Sequence, residues 1–186
     1  MTSMLCPSAA KVVGFIDELG LLAGIEPNVS GWAGPCRIVE GKLLASPECP
    51  ASTLLHELAH IAIVPSRYRY LLNDNISIGV RRAFELAAPL MDDPDSAFSR
   101  AMINMGDCEA TAWAWAAGTH LGITPEQIIQ DEEYDHGGQD IRLALKFNSY
   151  LGINGLAHAG FCCVRTSKHF TKQKPAFPKL AFWLQK

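Results

Sequence analysis

The sequence predicts an α+β fold, mainly helical, in which a short sheet packs on one central helix. Three observations predict it. Apolar residues recur at helical spacing through residues 9–23, 80–91, 106–121 and 139–151. Only two stretches, 36–40 and 42–45, have the short apolar character of strands, and Gly41 between them suits a tight hairpin. A nearly continuous apolar run, residues 54–63, lies between Pro50 and Pro65, which suit a helix start and stop. The 186-residue length is met most simply by one domain spanning 1–186, large enough to bury a sizeable core.

In order along the chain, Val12, Val13, Phe15, Ile16, Leu19 and Leu22 give the first helix its apolar face, and Gly24 is a plausible stop. Residues 25–34, with Pro27, Asn28, Gly31 and Gly34, read as a loop. The two strands follow, then the central helix. Residues 66–70 are basic and aromatic and read as an exposed loop. Residues 80–91 and 94–105 read as helical, with Pro89 bending or ending the first. The small residues of 106–121 permit close helix–helix approach, and Trp113 and Trp115 supply volume. Thr124, Pro125 and Gln127 form a helix start. The acidic stretch 131–135 ends that helix, and 139–151 is helical again. Residues 152–160, containing His158, read as a glycine-rich turn. The tail beyond 165 ends in apolar residues expected to pack on the body.

The central helix carries the chemistry. His56-Glu57-Leu58-Ala59-His60 places two imidazoles four residues apart, about one turn, on one helical face. Glu57 is rotated by about 100° from the pair. There it can reach a metal-bound water without occupying a ligand position. Two nitrogen ligands, an open position and a carboxylate base are what a hydrolytic zinc site requires. The competing reading, a core helix with hydrogen-bonded histidines, must place two imidazoles and a carboxyl among leucines, which costs free energy unless they are paired or metal-bound.

Such a site needs a third protein ligand. Downstream stand Asp107, Cys108, Glu109, His120, Asp131, His136 and His158. Glu109 is favoured, because it opens a helix of small residues able to lie against the motif helix. Asp107, two residues away, is the runner-up, and Cys108 comes third. His120 is about 16 Å further along the same helix and too remote to share the site.

His56-Glu57-Leu58-Ala59-His60 together with Glu109-Ala110-Thr111-Ala112-Trp113-Ala114 resembles the gluzincin metallopeptidases, in which a later helix supplies a glutamate as third zinc ligand. Among them the chain looks most like the small ImmA/IrrE family of bacterial and mobile-element proteins, over roughly residues 9–122. Thr111 stands where that family has asparagine. The resemblance implies a zincin-like domain in which His56, His60 and Glu109 hold Zn2+. Glu57 acts as general base on the zinc-bound water, and the substrate is a protein or peptide. For the oxyanion donor His158 is favoured over Tyr134, Tyr150 and His136. The alternative function is a non-catalytic zinc-binding regulatory or interaction protein of a mobile element.

Composition narrows the rest. With 48% hydrophobic and 19% charged residues the chain is globular in character. No apolar run approaches a membrane span, and the N-terminus lacks the pattern of a signal peptide. Six cysteines without a C-x-x-C pair or a secretory signal suggest reduced thiols and a cytoplasmic protein. The net charge of −3 divides unevenly: from Arg165 onward there are six Lys or Arg and no Asp or Glu. A short basic tail on an acidic body is thin evidence for nucleic-acid binding, which is therefore not expected as the main function.

Overall fold

In a computed structural model that describes residues 5–32, 34–167 and 174–186, the chain forms eight α-helices and one small sheet among those residues. The elements run α1 (Pro7–Glu18), β1 (Ala23–Ile25), β2 (Cys36–Val39), β3 (Lys42–Ala45) and α2 (Ala51–Ile63). They continue with α3 (Ile76–Ala87), α4 (Ala97–Ile103), α5 (Asp107–His120), α6 (Pro125–Ile128), α7 (Gly138–Lys146) and α8 (Leu151–His158). The coarse α+β class, mainly helical, is the one expected. The expected basic tail and the N-terminal stretch lie partly outside the described residues, at 168–173 and 1–4.

The central helix α2 runs between the two prolines that flank the apolar run. Leu54, Leu55, Leu58, Ala59, Ile61 and Ala62 are almost wholly withdrawn from solvent. Each large apolar side chain so buried contributes roughly 1.5–3 kcal/mol. One flank of α2 packs against the sheet and α1, and another against α5. From Ala110 to Gly118, α5 is buried on every side. It is held between α2 and α8.

The sheet has the order β1-β3-β2, with β2 antiparallel and β1 parallel to β3. Glu40 and Gly41 turn β2 into β3 with positive φ at both positions, the backbone geometry of a tight hairpin. The expected first helix is shorter than its apolar pattern. It stops at Glu18, Gly20 adopts φ +68°, and Ala23–Ile25 leave the helical path to join β3. That strand was not foreseen.

Two further expectations need correction. Residues 66–71 wind into a 3-10 helix with Tyr68 buried, where an exposed loop was expected. Residues 151–158 form α8, where a glycine-rich turn was expected. Gly152 and Gly155 serve contact there, not turning. A Cβ on Gly152 would collide with the Cys108 carbonyl, and one on Gly155 with the Glu109 carboxylate.

The C-terminal residues close the core, as their apolar character suggests. Trp183 stands edge-on to Phe15 and Trp113, with ring centroids 5.1 and 5.6 Å away. The Trp113 indole donates to the Trp183 carbonyl at 3.0 Å. Arg69 donates to the Ile61 and Val64 carbonyls at the end of α2 and to the Gln185 carbonyl. The Gln185 amide in turn donates to Ala62.

Candidate metal centre

The helical repeat of α2 brings the His56 and His60 rings together, with Nε2 atoms 3.2 Å apart. The first turn of α5, docked against α2, adds the Asp107 carboxylate. Its Oδ1 lies 3.2 Å from His56 Nε2 and 3.5 Å from His60 Nε2. The two nitrogens and the oxygen thus form a triangle with edges of 3.2, 3.2 and 3.5 Å. Ligands of a tetrahedral ion with bonds of 2.0–2.1 Å stand about 3.3 Å apart. The donor set and its spacing fit a metal ion, and among the described residues these three form the group able to hold one.

Asp107, not the favoured Glu109, completes this group. Residues two apart on a helix point about 200° from each other, so only one of the two can face α2. The docking of α5 turns Asp107 toward the histidines. Glu109 turns the other way, with its carboxylate against Gly106 and against Gly155 of α8. Cys108 lies between them and is backed by Gly152.

Electrostatics at the triangle are coupled. Burial opposes protonation of His56, but the hydrogen bond and charge of Asp107 outweigh it, so the His56 pKa lies above its ordinary value. Hydrogen bonds from His56 and His60 hold the Asp107 carboxyl well below the usual carboxylate range. His60 is 8% exposed, whereas Asp107 is 74% exposed, so the triangle opens to solvent on the Asp107 side. The buried Nδ1 atoms of both rings have no hydrogen-bond partner among the described residues.

Glu57 is buried beside the triangle. Burial pushes its carboxyl up, against the pull of His60 and His56. It borders two cavities that meet at the cluster. The larger, about 750 Å³, has a wall of Val80, Phe84, Met102 and Met105, with the exposed Trp32 at its edge. The intervening 66–105 segment therefore builds a groove beside the histidines and does not cover them. The smaller cavity, about 380 Å³, is lined by Thr53, His56, Glu57, Asp107, Glu133 and Tyr134.

His158 lies elsewhere. It is exposed at the end of α8, with Nδ1 2.9 Å from the Asn104 amide nitrogen, and it borders neither cavity. Tyr134, a secondary candidate from the sequence, lines the smaller cavity beside His56 and Asp107. Burial raises its pKa, so the phenol keeps its proton and can donate. Tyr150 borders neither cavity, and burial likewise raises its pKa. Glu133 was missed as a site residue. Its signal was only membership of the acidic stretch that follows α6.

No helix among the described residues is long and apolar enough to cross a membrane. All six cysteines are free thiols. No protein-family model, curated protein or solved structure matches this chain.

Proposed function

We propose that the protein is a zinc-dependent peptidase whose metal is held by His56, His60 and Asp107. The triangle of ligand atoms, with Glu57 buried beside it, carries the reading. Two imidazole nitrogens and one carboxylate oxygen leave a fourth position open, the pattern of catalytic rather than structural zinc. Bound zinc would supply Lewis acidity and a water acidic enough to lose its proton near neutral pH. With a metal held there, Glu57 would be the base that takes that proton and hands it to the leaving amine. Its place on α2 beside the two histidines, bordering both cavities, suits that role. Tyr134, still protonated, donates toward the carbonyl oxygen as negative charge grows there. The groove of Val80, Phe84, Met102 and Met105 receives an apolar side chain of the peptide next to the cleaved bond. The zincin-like reading and the likeness to gluzincins rest on the His56–His60 motif alone, since the third ligand in this geometry departs from theirs. An aspartate as third ligand replaces the family's glutamate.

Cleavage of a proteome-derived peptide library, read by mass spectrometry, tests the activity. The zinc-loaded wild type cuts a subset of peptides with apolar residues beside the cut. Glu57→Gln keeps its zinc and loses at least about 100-fold in rate. A zinc-loaded wild type that cuts nothing refutes the enzyme and leaves the non-catalytic zinc-binding reading.

A further inference from the structure

Beside the triangle, in the cavity that none of the groove's apolar residues line, Glu133 is held in place by the start of α2. The buried Ser52 hydroxyl donates to its Oε1 at 2.7 Å and the Thr53 hydroxyl donates to the same oxygen at 2.9 Å. Two donors on one oxygen fix the carboxylate and leave Oε2 without a hydrogen bond among the described residues. The neighbouring Asp131 is neutralised by Arg142, whose guanidinium lies 3.1 Å away and also donates to the Ile129 carbonyl. Glu133 has no such cation among the described residues. It nevertheless lines a 380 Å³ cavity that shares His56, Glu57 and Asp107 with the candidate centre. That cavity has three carboxylates and no Lys or Arg on its walls. A divalent ion at the triangle offsets the charge of Asp107 and Glu57 and leaves that of Glu133 over.

We infer that the Glu133–Tyr134 cavity is a subsite for a cationic nitrogen group of the substrate, an ammonium or guanidinium next to the bond placed at the metal. This deepens the peptidase reading and rests on it. Glu133 supplies a preorganised anion, and Tyr134 borders the same space. A charge-assisted hydrogen bond to a carboxylate already fixed by two hydroxyls needs no rearrangement of the site. The cation can belong to a Lys or Arg side chain or to the amino terminus of the peptide. Together with the apolar groove this selects peptides with an apolar residue on one side of the cut and a positive charge on the other.

The test is a titration followed by NMR, using the full wild-type chain supplied with zinc. Three probes separate the possibilities. Nα-acetyl-lysinamide carries only a side-chain cation, leucinamide only an α-ammonium, and Nα-acetyl-norleucinamide no cation. One or both cationic probes bind at least about ten-fold more tightly than the neutral one, and which of them does so identifies the source of the charge. Glu133→Gln in the same background keeps an acceptor for Ser52 and Thr53, so the fold survives, and the preference disappears. Equal binding of all three probes, a preference that survives Glu133→Gln, or no binding of any probe at millimolar concentration overturns the inference. Zinc content of the same samples separates the two readings. A cation preference in protein that takes up no zinc sinks the peptidase and keeps the pocket. Zinc-loaded protein without the preference sinks the pocket alone.

Discussion

At the scale of single residues, the His56–Asp107 pair couples the protonation of the two groups that the proposed metal would need. In the metal-free protein Asp107 has a depressed pKa. Its contribution to stability is therefore present above the ordinary ~3.9 and lost as the pH falls through the lower folded value. His56 is raised. Its contribution is present below the ordinary ~6.5 and lost as the pH rises through the higher folded value. Both contributions coexist between about pH 4 and 6.5. Metal-free Asp107→Asn should melt below wild type in that window, with the gap narrowing toward pH 8, as differential scanning calorimetry across the range can show. A gap independent of pH contradicts the coupling. The same protons compete with zinc, so zinc affinity should rise with pH through the titration of His56. Tyr134→Phe removes the proposed oxyanion donor. It should lower kcat by roughly 10²–10³-fold and leave zinc content unchanged. Unaltered kcat returns Tyr134 to a purely packing role against Thr111, whose hydroxyl lies 3.5 Å from the phenol.

At the scale of elements, the site depends on how α5 is rotated and seated. α8 comes close enough to leave no room for a side chain at Gly152 or Gly155. Gly152→Ala should destabilise the protein by about 1–3 kcal/mol, the cost of overpacking, and shift the first turn of α5 that carries Asp107. A lowered melting temperature with weakened zinc retention is the expected result; an unchanged melting curve contradicts the tight packing. This arrangement explains what the sequence could and could not disclose. The motif helix was legible because an apolar run between two prolines has one sensible reading, and an i, i+4 histidine pair on a helix needs no tertiary information. The choice between Asp107 and Glu109 did need it. Either can face α2 from the first turn of α5, and packing of the buried Trp113 and of the α8 glycines fixes the rotation. α8 itself was hidden because its glycines signal turns locally, while their use is a contact with α5. β1 is three residues without alternation, and only pairing with Leu43–Ala45 makes it a strand. Favouring His158 over Tyr134 followed the same misreading of α8 as a loop able to swing into the cleft.

At the scale of the whole molecule, α2 is the axis on which the other parts are seated. The sheet and α1 cover one flank, α5 another, and the C-terminal residues tie its end through Arg69 and Gln185. Trp183→Ala empties a space bordered by Phe15, Trp113 and His120. It should cost about 3–5 kcal/mol, measured by urea unfolding of the full chain. A loss below about 1 kcal/mol would show that the tail is not part of the core. In the proposed site this framework sets His56, His60 and Asp107, and not Glu109, around one metal ion. The measurement that tests it most directly is metal content by inductively coupled plasma mass spectrometry of the full chain expressed with zinc. Wild type, His56→Ala, Asp107→Ala and Glu109→Gln would be compared. About one zinc per chain is expected in wild type and Glu109→Gln, the stoichiometry of a single three-ligand site, and zinc should be lost from His56→Ala and Asp107→Ala. Zinc kept by Asp107→Ala but lost from Glu109→Gln, or no zinc in the wild type, would contradict it.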